Sequence, residues 1–128
     1  MRDPTAFLRT AERAAGGRLG VYAIDTGSGR SFGWRSDERF CHCSTFKLSL
    51  AAMTLREADS GRLDLTEKLA FSRADIVAYA PVVEANLDKG ALPILELAEA
   101  VQVTSDNAAA NILMRRLGGP DALTRFWR

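Results

Sequence analysis

Residues 46–55 read Phe-Lys-Leu-Ser-Leu-Ala-Ala-Met-Thr-Leu, which puts apolar side chains on every side of a helical wheel. Such a segment is a helix enclosed by other elements, because a surface helix keeps a polar face toward water. Lys47 lies within it, and burial strips an ammonium group of water at a large cost unless the charge is paired or neutralised. Ser44 precedes it by three residues, on the same helical face and one turn nearer the N-terminus. A hydroxyl, an amine and the N–H groups of a helix start are thereby gathered together: a nucleophile, a base and donors for a developing oxyanion. The plainer alternative has Ser44 capping the helix and Lys47 snorkelling to its surface. An S-x-x-K tetrapeptide recurs too readily by chance to choose between them.

With 128 residues and 47% hydrophobic content, the chain is long enough for one core. Its 17 basic and 16 acidic residues leave a formal charge of +1, with no basic stripe, so nucleic acid is not an expected partner. No uninterrupted apolar run approaches the roughly 20 residues needed to span a bilayer, so no membrane partner is expected. Residues 1–4 lack the apolar run of a signal peptide. That start fits a cytoplasmic chain or one whose export signal is removed or not included. Cys41 and Cys43 flank His42, the single histidine, and no second Cys/His cluster completes four ligands. Neither a structural zinc nor any other metal or cofactor is expected. A Ser-His-Asp triad is not expected either, since His42 is only two residues from Ser44.

In chain order, residues 4–15 predict a helix with Phe7, Leu8, Ala11, Ala14 and Ala15 on one face, stopped by Gly16-Gly17. Residues 19–25 and 30–35 predict a hairpin around Thr26-Gly27-Ser28-Gly29. A loop over residues 36–43 leads into the central helix, which Gly61 ends. Residues 65–72 read as extended, and Ala80-Pro81 breaks what precedes it. Helices follow over 92–103 and 107–117, the second capped from Thr104-Ser105-Asp106, and Gly118-Gly119-Pro120 opens a last one. A lone hairpin exposes two edges, and a helix apolar all round needs neighbours on every side. This reads as part of a larger domain.

Ser105-Asp106-Asn107 at the start of a helix sharpens the reading, because S-x-x-K opening one buried helix and S-D-N opening another are a joint pattern. By itself the triplet is an ordinary N-cap, a role that suits Asp106. Together with Gly20-Val21-Tyr22-Ala23-Ile24-Asp25-Thr26-Gly27, Glu38-Arg39-Phe40, Tyr79-Ala80-Pro81, Ala108-Ala109-Ala110-Asn111 and Gly118-Gly119-Pro120, the chain resembles a class A serine β-lactamase. The resemblance runs from the first helix to the last residue. It implies an α/β (α+β) fold of the serine β-lactamase and penicillin-binding-protein type, with residues 1–128 as one partial domain, its N-terminal half.

The resemblance also implies roles. Ser44 would attack the β-lactam carbonyl and be acylated, its own N–H forming half of an oxyanion hole. Lys47 would take the serine proton directly or through a water, and desolvation and the helix dipole would both favour its neutral form. Ser105 would pass a proton to the lactam nitrogen, Asn107 would bond the substrate's side-chain amide, and Tyr79 would line the cleft mouth. Asn111 would support the loop that carries a catalytic glutamate. That loop and the K-T-G strand follow position 128 in the family, so these residues alone are not expected to turn over substrate. A β-lactam is the expected small-molecule partner, antibiotic resistance the setting, a monomer the state when complete, and the periplasm or exterior the place of action. Cys43 occurs before the serine in family members, where in carbapenem-hydrolysing ones it pairs with a distant cysteine; His42 and Cys41 depart from the usual residues. Two alternatives stand beside this reading: a D,D-peptidase or penicillin-binding protein, and a catalytically silent truncated module.

Overall fold

A computed structural model describes residues 4–128; the reading of the first residues as lacking a signal peptide lies partly outside them. The chain forms two compact units, residues 1–41 and 42–128.

In the first unit, helix α1 (Pro4–Ala15) is followed by the antiparallel hairpin β1 (Val21–Ile24) and β2 (Ser31–Trp34). Its register pairs Val21 with Trp34 and Ile24 with Ser31. The turn closes as an Asx turn: the Asp25 carboxylate accepts from the Gly27 N–H at 3.0 Å and from the Ser28 hydroxyl. Arg35 bonds the Glu12 carboxylate at 2.7 Å and Glu38 at 2.7 Å, tying the helix to the end of the hairpin. Those bonds hold both carboxyls below their ordinary range. Gly20 is required by close approach, since a Cβ there would stand 2.5 Å from the Phe40 ring.

The second unit holds the core. A 3-10 turn (Cys43–Thr45) leads into α2 (Phe46–Asp59), and then come β3 (Lys68–Ala70), a 3-10 turn (Arg73–Asp75), α3 (Pro81–Ala85), β4 (Ala91–Pro93), α4 (Ile94–Val103), α5 (Asn107–Arg116) and α6 (Gly119–Phe126). Leu50 of α2, Val83 of α3, Ile94, Leu97 and Val101 of α4, and Leu113 of α5 are almost wholly buried in one cluster. The alanine run Ala108-Ala109-Ala110 lets α5 approach α4 closely, and a smaller cluster joins Met53 to Ala122 and Leu123 of α6. Among the described residues, α2 is buried along Lys47, Leu50, Ala51, Met53 and Thr54, while Leu48 and Leu55 stay exposed. Enclosure on every side is therefore realised on one side here.

Two expectations from the sequence need correction. The hairpin is not the only strand pair: β3 and β4 form a second antiparallel ladder, Leu69 opposite Leu92. The helix predicted from residue 92 begins at Ile94, because residues 91–93 are drawn into that ladder and Pro93, at ψ 148°, is extended. Pro81, expected only as a breaker, is also the first residue of α3, where its missing N–H is no loss.

Gly61 ends α2 at φ +73°, and its N–H donates to the Ala58 carbonyl at 2.9 Å. A Cβ there would meet nothing within 4 Å, so Gly61→Ala isolates the backbone penalty. We expect it to lower stability by about 1 kcal/mol, read from urea unfolding midpoints. An unchanged midpoint would show that the turn relaxes to another conformation.

Candidate active site

The candidate site is assembled within the second unit from three chain segments: the turn before α2 with the first turn of that helix, the segment before α3, and the α4–α5 junction. Ser44 sits in the 3-10 turn rather than capping a helix; neither that turn nor α2 has a side-chain cap. The His42 carbonyl closes the turn by accepting from the Thr45 N–H at 3.1 Å and from the Thr45 hydroxyl. Ser44 is exposed, and its hydroxyl is hydrogen-bonded to that of Ser105 at 3.2 Å.

Lys47 does not snorkel. Its residue is 3% exposed, and Nζ donates to the Ser105 carbonyl at 2.6 Å and to Asn107 Oδ1 at 2.6 Å. It also lies 2.9 Å from Ser105 Oγ. No hydrogen bond joins Lys47 directly to Ser44 among the described residues; the hydroxyl of Ser105 stands between them. Desolvation lowers the amine's pKa below its ordinary 10.5, and the negative charge of Asp106 opposes that shift. Lys47 also occupies the first turn of α2, where the helix dipole disfavours a cation.

Asp106 is fully buried and accepts three backbone N–H bonds. One oxygen takes those of Val82 (2.9 Å) and Val83 (3.1 Å) at the start of α3, and the other takes that of Ala109 (2.8 Å) in α5. It is the N-cap of α5 and a clamp on α3 at once. Asn107 is tied at both ends of its amide: Oδ1 accepts from Lys47, and Nδ2 donates to the Ala78 carbonyl at 2.8 Å. One amide N–H is left for a ligand. Its backbone N–H donates to the Tyr79 carbonyl at 3.0 Å, while the Tyr79 residue is 66% exposed.

Ser44, Lys47, Ser105 and Asn107 are thus linked by hydrogen bonds, with Asp106 and the Tyr79 backbone behind them. Asn111 stands apart, exposed one turn along α5, and its side chain makes no hydrogen bond among the described residues. Sequence reasoning missed Gln102, whose Nε2 donates to the Lys47 carbonyl at 2.7 Å from the end of α4. It also missed the backbone: Cys43 (φ 46°), Tyr79 (φ 60°) and Ser105 (φ 57°) are left-handed without being glycine. Non-glycine residues in that region concentrate where the surroundings over-determine them. Among the described residues, no group of three or more His, Cys, Asp or Glu side chains could hold a metal ion. No helix there is long and apolar enough to cross a membrane.

Comparison with known proteins gives the family and the fold. The family model described as the Beta-lactamase enzyme family matches residues 4–128. The chain is 42% identical over 122 residues to Beta-lactamase SME-1 of Serratia marcescens, covering 94% of this chain and 41% of that protein. It superposes on the crystal structure of a beta lactamase from Burkholderia vietnamiensis with a TM-score of 0.90 and 51% identity, covering 100% of this chain and 48% of the other. An ancestral beta-lactamase class A, the last common ancestor of Gram-negative bacteria, gives 0.86 at 47% identity, over 97% of this chain and 47% of the other. The fold is that of class A beta-lactamases. The chain belongs to the beta-lactamase enzyme family, a family of hydrolases, and spans about 41% of the length of the first curated relative it matches.

Proposed function

We propose that the complete protein hydrolyses β-lactams through an acyl-enzyme, with Ser44 as nucleophile and Lys47 as base acting through Ser105. The observation that carries this reading is the unbroken chain Ser44 Oγ, Ser105 Oγ, Lys47 Nζ, at 3.2 Å and 2.9 Å. A neutral amine has two N–H groups and one lone pair. Its N–H groups then serve the Ser105 carbonyl and Asn107 Oδ1, both acceptors, and its lone pair receives the Ser105 O–H. For the relay to run, the two hydroxyls rotate so that the Ser105 oxygen accepts the Ser44 O–H, the reverse of the bond in the structure, where Ser105 donates to Ser44. As Ser44 Oγ bonds to the lactam carbonyl carbon, its proton passes to Ser105 and the Ser105 proton passes to Lys47. When the C–N bond breaks, the relay runs backward and the ring nitrogen receives a proton from Ser105. The Ser44 N–H donates to the developing oxyanion. Asn107 offers its remaining amide N–H to the substrate, Tyr79 flanks the opening, and Asn111 acts on a neighbouring segment. The kinship with named β-lactamases supports the substrate class and, with it, an exported, monomeric enzyme that confers antibiotic resistance.

Deacylation is a separate matter. Among the described residues, no carboxylate hydrogen-bonds to Ser44, Lys47 or Ser105, so these groups supply acylation without an obvious base for the hydrolytic water. Incubating this chain with a penicillin is expected to leave one covalently bound penicillin by intact mass, absent in Ser44→Ala. A folded chain that takes up none, or whose Ser44→Ala variant is labelled equally, would overturn the assignment.

A further inference from the structure

His42 has no part in the proton relay, yet it is held at two points. Its carbonyl closes the turn that carries Ser44, and its imidazole stacks on the indole of Trp127, centroids 5.1 Å apart and planes 18° from parallel. Trp127 follows directly on α6, and its N–H donates to the Leu123 carbonyl at 3.3 Å. Leu123 and Ala122 of that helix pack against Met53 of α2. The stack therefore anchors His42, two residues ahead of the proposed nucleophile, to the same packing that fixes the helix behind it. Between His42 and Ser44 lies Cys43 at φ 46°, a conformation an unrestrained cysteine would leave.

We propose that His42 is a positioning residue. Its ring, seated on Trp127, holds Cys43 left-handed and thereby presents Ser44 Oγ to Ser105. This rests on the reading of Ser44 as nucleophile. The alternative, a surface stack without consequence for the turn, predicts that the rings can be removed and the turn stays as it is. Trp127 is 45% exposed, so the expected effect is graded and not absolute.

His42→Leu and Trp127→Leu are each expected to slow acylation of Ser44 by a penicillin roughly three- to tenfold, the range a stacked aromatic pair represents. The double variant should be no slower than the slower single, because both remove one interaction. His42→Phe keeps a stacking ring and should restore the rate to within about twofold. A second readout does not depend on acylation. The chain has 1 histidine, so its ring protons are identified without ambiguity in an NMR spectrum. They should be shifted upfield by the indole and lose that shift in Trp127→Leu, and the backbone shifts of Cys43 should lose their left-handed signature in both leucine variants. If the unaltered chain takes no penicillin, the function reading fails while the Cys43 shifts still decide this inference. If Cys43 stays left-handed without either ring, or acylation proceeds at the unaltered rate, the positioning role is wrong.

Discussion

Lys47→Met is expected to slow acylation of Ser44 by a penicillin roughly a thousandfold, the scale on which a positioned general base acts. Methionine fills the buried space but offers neither a lone pair basic enough for the Ser105 proton nor an N–H for Asn107. Lys47→Arg should not rescue it, because guanidinium stays protonated. The time course of adduct formation by mass spectrometry checks both, and a loss below about tenfold would remove Lys47 from the relay. The pH dependence carries a second signature. Because burial lowers the pKa of Lys47, acylation by the unaltered chain should rise with pH and level off below 10.5. Stability follows with a defined sign. Between the folded-state value and 10.5, the unfolded chain binds more protons at this position than the folded one, so this group makes the fold more stable as pH rises through that window. Comparing urea midpoints of the unaltered chain and Lys47→Met across neutral to alkaline pH isolates that slope, which should be missing from the variant.

Asp106→Ala should lower stability by about 3–5 kcal/mol, because it leaves the buried N–H groups of Val82, Val83 and Ala109 without their acceptor. Asp106→Asn keeps one acceptor oxygen and should lose about 2 kcal/mol. A loss under about 1 kcal/mol for the alanine variant, from urea unfolding, would mean that water replaces the carboxylate and that the clamp is dispensable. The asparagine variant also separates charge from structure. The charge of Asp106 raises the pKa of Lys47, so its removal should move the acylation plateau to lower pH.

Much of the fold was legible because local chemistry marked it. Pro4 and Gly16 bracket α1, Asp106 caps α5, and Pro120 lies at the opening of α6. The site was legible as a pair of motifs, and the structure joins Ser44, Lys47, Ser105 and Asn107 as that pairing suggests. The β3–β4 ladder was not legible, since its strands are three residues each and Leu92 also fits the helical pattern that continues into α4. Partnerships through backbone atoms were equally silent. The carbonyls of Ala78, Ser105 and His42 hold the site together, but a carbonyl has no signature in the residue that carries it. Whether Ser44 caps a helix or meets Ser105 also depended on the chain turning left-handed at Cys43, which no cysteine announces.

The left-handed conformations of Cys43, Tyr79 and Ser105 place a stereochemical constraint on how this candidate site can vary. At each of the three, the backbone is shaped as a residue of the opposite hand would shape it, and an L-residue there strains the chain. Glycine would relieve that strain but would bring no hydroxyl to position 105 and no ring to position 79. The candidate site therefore keeps side chains where its backbone favours none. Asparagine and aspartate tolerate the conformation better than most residues, so the substitutions easiest on the backbone are a short polar set. Variation at these positions is filtered by chirality before any substrate has a say.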